Sequence, residues 1–229
     1  MGYHWAMDRG LTFVPGEVYH IYNRGVEKRT IFQGSRDWQH FQELLYISNN
    51  TEPLASKLMP KNSYEFKRKG TIIDLLGYAQ MTNHYHLIVL EKIDGGISKF
   101  MSKFGTAYSM FFNTKYERSG PLFCKPFRAK HVYSDDYLRW LFGYVHLNPL
   151  IIYDPAWEKN VRTKQINEAQ KFLREYRFSS YWDYFSGERE ESRILNKNVL
   201  PVDISDLENA GEMLKEYRSW APPGYPVLV

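Results

Sequence analysis

The sequence predicts an α+β fold. A ferredoxin-like βαββαβ antiparallel sheet with helices on one face is followed by a tyrosine-bearing helix and a C-terminal helical accessory region. Three observations predict it. Strand-like and helix-like apolar patterns alternate in the order strand, helix, strand, strand, helix, strand, helix up to Pro149. Turn and breaker residues separate them at Asn23-Arg24-Gly25, Asn83, Gly95-Gly96 and Gly120-Pro121. The patterning weakens after Pro149, where only two further helical stretches stand out.

Taken in order, residues 17–22 alternate apolar and polar side chains and read as the first strand. Ser35 is placed to cap a helix in which Trp38, Phe41, Leu44, Leu45 and Ile47 recur at helical spacing. Residues 49–70 are polar and basic, carry Pro53 and Pro60, and read as a loop insertion containing Lys67-Arg68-Lys69. Residues 71–80 and 84–91 are the second and third strands. Residues 97–116 form a long amphipathic helix whose Phe and Met stripe belongs to the core. Residues 127–133 are the fourth strand. Ser134 or Asp135 then caps a helix bearing Tyr137, Leu138, Leu141, Phe142 and Val145, which ends near Asn148-Pro149. Residues 164–176 and 205–220 look helical, and a charged loop at 188–193 lies between them. These boundaries divide the chain into a βαββαβ unit with its tyrosine-bearing helix, residues 14–150, and an accessory region, residues 151–229.

Composition narrows the function. The 229 residues carry a net charge of +4 with a pI near 8.9, which permits a phosphate-binding face. Aromatics make up 17%, and surface tyrosines stack on unpaired bases, although most aromatics serve the core. The single cysteine, Cys124, excludes an internal disulfide and a thiolate-cluster metal site. No apolar run is long enough to span a bilayer, and residues 1–10 lack the apolar core of a secretory signal. A soluble cytoplasmic protein with no membrane partner is the expectation.

His84-Tyr85-His86 is the sharpest local feature. Residues two apart in a strand share a face, so both imidazoles project together while Tyr85 points into packing. Two imidazoles can bind a divalent cation, and a third protein ligand is then required. Tyr144 and Asn148 are four apart and share a helix face. An Asn amide oxygen suits Mg²⁺ or Mn²⁺, and a Tyr hydroxyl one turn earlier would lie beside the ion. The same spacing also describes a core tyrosine and an Asn that ends an ordinary helix. His20, His131 and His146 read as structural or phosphate-contacting, since none forms a same-face pair.

Residues 77–87, Gly-Tyr-Ala-Gln-Met-Thr-Asn-His-Tyr-His-Leu, resemble the HUH segment of the IS200-type single-tyrosine (Y1) transposases, and most of all that of the REP-associated tyrosine transposases. Residues 19–25 (Tyr-His-Ile-Tyr-Asn-Arg-Gly) resemble the family's first strand and turn. Ser119-Gly120-Pro121-Leu122-Phe123 with Phe127-Arg128-Ala129-Lys130 resembles the approach to its fourth strand. Residues 144–149 (Tyr-Val-His-Leu-Asn-Pro) resemble its tyrosine helix, and Ser179-Ser180-Tyr181 a later motif. The blocks keep the family's order over roughly residues 16–185. Thr82 stands where the family usually has Pro, and Tyr85 where it usually has an aliphatic residue.

The resemblance implies roles. His84, His86 and Asn148 would hold Mg²⁺ or Mn²⁺, and Tyr144 would attack a DNA phosphate to give a 5′-phosphotyrosine and a free 3′-hydroxyl. The substrate would be single-stranded DNA bearing a hairpin, such as a repetitive extragenic palindrome. Arg24, Lys125, Arg128 and Lys130 are the DNA-binding candidates, with Arg128 and Lys130 on one strand face. Lys67, Arg68 and Lys69 are either a clamp or solvated charge. The long region after residue 150 favours a monomer over the helix-exchanged dimers of IS200-type relatives. Two other readings remain: an inactive single-stranded DNA- or RNA-binding module of the same fold, and a metal-dependent phosphodiesterase that uses water.

Overall fold

The computed structural model describes residues 11–52, 61–157, 163–219 and 221–223. Part of the 49–70 stretch, including Pro53 and Pro60, lies outside them, as do residues 1–10 and Trp220. The strands are β1 (Val18–Arg24), β2 (Ile73–Met81), β3 (His84–Glu91) and β4 (Arg128–Val132). The helices are α1 (Ser35–Ser48), α2 (Gly96–Lys115), α3 (Asp135–Leu147), α4 (Leu150–Tyr153), α5 (Thr163–Glu175), α6 (Tyr181–Phe185) and α7 (Ala210–Ser219). The sheet order is β2-β3-β1-β4 and every pairing is antiparallel, which is the ferredoxin-like arrangement.

The pleat sorts the side chains onto two faces. Tyr19 and Ile21 of β1, with Tyr85, Leu87 and Val89 of β3, pack under α1 and α2. Val18, Leu76, Ala79 and Ile88 pack on the opposite face against Leu138, Leu141 and Val145 of α3. The helices of the βαββαβ unit thus cover one face, and the tyrosine-bearing helix covers half of the other.

Caps explain the helix starts. Ser35 is the first residue of α1 and does not cap it. Asp37 does, accepting from the backbone N–H groups of Gln33 and Gly34 at 2.7 and 2.9 Å. Lys115 and Tyr116 also reach Asp37, joining the end of α2 to the start of α1. α2 begins where the buried Glu91 carboxylate accepts from the N–H groups of Gly96 and Ile97. A Cβ on Gly96 would lie 2.3 Å from the Ile72 carbonyl oxygen, so only glycine allows this approach. Ser134 caps α3, accepting from the Tyr137 N–H at 3.2 Å.

α3 ends at Leu147, before Asn148-Pro149, as expected. Asn148 and Pro149 hold helical dihedrals and lead into α4, because a proline that opens a new turn gives up no N–H the helix needs. The charged stretch at 188–193 corrects an expectation: Glu190–Ile194 form a 3-10 turn rather than a loop. The Arg189 side chain is buried, with Nε and Nη2 donating to both carboxylate oxygens of the fully buried Asp183 at 2.9 and 2.8 Å. The same guanidinium donates to the carbonyls of Arg177 and Ser179 and to the Tyr78 hydroxyl.

That buried clamp closes the edge of the sheet. Residues 178–180 run along β2, with N–H groups of Gln80 and Ser180 donating to the carbonyls of Phe178 and Tyr78. The accessory elements then share the α3 core: Leu173, Tyr181, Met213, Leu214 and Tyr217 belong to it. Among the described residues no helix is long and apolar enough to cross a membrane.

Candidate active site

The site grows from one face of the sheet. Antiparallel register sets Tyr22 opposite His86 on one side and Arg128 on the other. One step along, His20 lies opposite Lys130, and in the other direction Arg24 lies opposite His84. Alternation therefore places His20, Tyr22, Arg24, His84, His86, Arg128 and Lys130 on the α3 face. The expected same-face histidine pair is present, and three of the four predicted cations share its face.

The rings are close. His84 and His86 have centroids 5.1 Å apart, near perpendicular. His20 stacks on His86, with its Nε2 2.9 Å from His86 Nδ1. Tyr144 of α3 descends on this pair, its ring 5.4 Å from His86 and 5.9 Å from His20, edge-on to both. Behind Tyr144, Trp140 stacks at 5.1 Å and Tyr217 of α7 at 6.3 Å, and the Trp140 indole N–H donates to the Tyr217 carbonyl.

The imidazoles are neutral at pH 7. Burial pushes His20 down to about 3, with the Lys130 charge adding to the effect. Burial likewise takes His84 to about 4, helped by Arg24. His86 is lowered well below 6.5 by burial and by its two histidine neighbours. Lys130 itself is pushed down to about 8 by burial. Burial raises the Tyr22 phenol despite the nearby Arg128 charge.

A divalent cation fits the pair on donor chemistry. His84 Nδ1–H donates to the Asn83 side-chain oxygen at 2.7 Å, which leaves Nε2 as its lone-pair nitrogen. His86 Nε2 is buried and has no hydrogen-bond partner among the described residues. An orphaned buried nitrogen on a neutral imidazole has the chemistry to ligate a metal. No set of three His, Cys, Asp or Glu side chains is arranged to hold a metal among the described residues, so a third ligand must be an amide, another oxygen or water. Asn148 is buried, and its Nδ2 donates to the Tyr144 carbonyl at 2.7 Å. That bond holds the Asn148 amide nitrogen against the helix of Tyr144.

The remaining candidates separate. Lys125 is exposed and precedes β4. It lines a groove beside α2 with Ser102, Thr106, Asn113 and Arg118, and Tyr85, which points away from the histidine face, lines the same groove. Arg68 lies over the Tyr46 ring at 4.0 Å and donates to the Arg193 carbonyl, and Lys69 pairs with Glu52. Those contacts tie the 67–69 run to the scaffold. His131 pairs with Glu17, and His146 Nδ1–H donates to the Phe142 carbonyl while Nε2 meets the Ser180 hydroxyl at 2.7 Å. Both side chains contact neighbouring elements of the scaffold. His20, expected to be structural or phosphate-contacting, lies against His86, and Tyr22 and Asn83 also contact the imidazoles of this face.

No family model matches the chain, and no curated protein matches it. Solved structures do. The chain is similar to a REP-associated tyrosine transposase bound to a REP hairpin, at 11% identity and a TM-score of 0.49, over 78% of this chain and 84% of that one. A likeness this distant carries no assignment of residues or substrate, so the site is interpreted from its own geometry and from the motif resemblance.

Proposed function

We propose that this protein cleaves and rejoins single-stranded DNA by transesterification, with Tyr144 as nucleophile and hairpin-bearing DNA as substrate. One observation carries the reading: Tyr144 lies edge-on against the buried His86 imidazole, whose Nε2 has no partner among the described residues. In the proposed step the Tyr144 oxygen bonds to phosphorus and the bond from phosphorus to the 3′ oxygen breaks. The phenolic proton is lost and the departing 3′ oxygen gains one, so the phosphotyrosine conserves a phosphodiester and rejoining needs no nucleotide triphosphate.

A divalent Mg²⁺ or Mn²⁺ held by His84 and His86, with Asn148 as the third ligand the resemblance implies, would polarise the scissile phosphate. Arg24, Arg128 and Lys130 share the face with the imidazoles and would neutralise the strand's phosphates. Trp140 and Tyr217, stacked behind Tyr144, limit its rotamers and orient the phenol.

Labelled single-stranded hairpin DNA incubated with the protein and Mn²⁺, then run on a denaturing gel, tests this. The expected result is a protein–DNA adduct from the wild type and none from Tyr144→Phe. An adduct that persists in the variant refutes the nucleophile. Cleavage without adduct indicates water as nucleophile, and binding without cleavage an inactive module. EDTA should abolish the adduct.

A further inference from the structure

A neutral imidazole has one N–H and one lone pair, and a metal takes the lone pair. Which nitrogen offers it is decided by what the other nitrogen bonds. For His84 the answer is local: Nδ1–H donates to Asn83 Oδ1 at 2.7 Å, and the Asn83 amide is oriented by its Nδ2 donating to the Lys28 carbonyl at 3.2 Å. For His86 the partner comes from another strand, 66 residues away: His20 Nε2 lies 2.9 Å from Nδ1, both rings are buried, and their planes differ by only 17°.

The His20–His86 bond can run either way. If His20 donates, His86 carries its proton on Nε2 and buries an N–H with no acceptor among the described residues. If His86 donates from Nδ1, its Nε2 presents a lone pair, the same state that Asn83 imposes on His84. The two imidazoles then match.

We propose that His20 and Asn83 are a matched pair of positioning residues, accepting the Nδ1–H of His86 and of His84 so that both Nε2 lone pairs are presented to one divalent cation. The assignment rests on the metal-dependent reading of the site. Each acts through the imidazole it holds. Tyr22 supports the arrangement by stacking on His20 at 4.7 Å and on His86 at 5.9 Å.

Two measurements test the pair. Long-range ¹H–¹⁵N spectra of the metal-free protein report the tautomer of each imidazole. Both His84 and His86 are expected as Nδ1–H. His20→Phe should release only His86 from that tautomer, and Asn83→Ala only His84, a selectivity that a loss of packing would not give. Mn²⁺ titrated calorimetrically should bind about 10–100-fold more weakly to His20→Phe, the range for lost outer partners of metal-bound histidines. His20→Gln places a carbonyl oxygen near the Nε2 position and should recover most of the loss.

An Nε2–H on His86 in the wild type overturns the proposal. So does wild-type Mn²⁺ affinity in His20→Phe, or an equal loss in His20→Gln, which would reduce His20 to packing. A wild type that binds no Mn²⁺ while showing both Nδ1–H tautomers overturns the metal reading itself, and with it the purpose assigned to His20 and Asn83.

Discussion

His146 makes the tyrosine helix sensitive to acid. It lies on α3 between Tyr144 and Asn148 and is fully buried. Nδ1–H donates to the Phe142 carbonyl, and Nε2 meets the Ser180 hydroxyl, which also accepts from the Tyr78 N–H of β2. Gly77 packs beside the ring: a Cβ there would lie in ordinary contact with His146 at 3.5 Å and tighter against Ile88 at 3.2 Å. Burial pushes His146 down to about 4, against the opposing pull of the Phe142 carbonyl and the Asp183 charge.

The folded value is below the 6.5 of the unfolded chain, so the neutral ring favours the fold. That stability is complete above pH 6.5, is lost progressively as pH falls, and is gone below about 4. At pH 5 the loss is about 2 kcal/mol, and it saturates at about 3 kcal/mol. Urea unfolding in EDTA, followed by tryptophan fluorescence at pH 7 and pH 5, reads it. His146→Phe removes the titration, so the wild type should lose about 2 kcal/mol more than the variant between the two pH values, roughly a 1 M larger midpoint shift. The comparison is of pH differences, so the variant's own deficit at pH 7 cancels, as do the contributions of His20, His84 and His86. Equal losses in the two proteins would refute the argument.

Two further outcomes follow from where the charges lie. Arg128 shares the histidine face and Lys125 does not. Arg128→Ala should therefore reduce the slope of log affinity against log salt for single-stranded DNA by about 0.7, and Lys125→Ala should leave it nearly unchanged; the reverse order in filter binding would move the DNA path to the α2 groove. Arg189→Met strands the buried Asp183 carboxylate and should cost about 3–5 kcal/mol in urea unfolding, with Asp183→Asn in the same chain restoring part of the loss.

The strands and long helices were legible because each buries a face and its periodicity says so. Val18, His20 and Tyr22 alternate with Tyr19 and Ile21, and Phe100, Phe104 and Tyr108 repeat on one side of α2. His84 and His86 were legible for the same reason. What failed to show was whatever depends on distant partners. Ser35 has the right chemistry for a cap, yet Asp37 caps α1 because Lys115 and Tyr116 arrive from the far end of α2 to hold it. Arg189 reads as surface charge until Asp183 and the backbone of residues 177–179 surround it. His20 joins His86 only through the β1–β3 register, which no local pattern encodes. Lys125 precedes β4, so strand alternation says nothing about its side.

The packing of α3 also bears on whether Tyr144 serves its own chain. Its ring lies against His86 and His20 of the same polypeptide. Exchanging α3 between two copies would extract Trp140, Leu141, Phe142 and Val145, all nearly or fully buried, and break the Trp140–Tyr217 and His146–Ser180 hydrogen bonds. Burial of one such side chain is worth about 1.5–3 kcal/mol, so an exchange must rebuild the whole interface with α7 and residues 178–180 of another chain. α4 and α5 follow α3 and carry Leu150, Ala169 and Leu173 into the same core. Action in cis has a direct test. A mixture of Tyr144→Phe with a His84→Ala, His86→Ala double variant should form no adduct, because neither chain holds a complete site. Restored adduct in the mixture, at a yield that rises with the square of protein concentration, would establish that the tyrosine is supplied in trans.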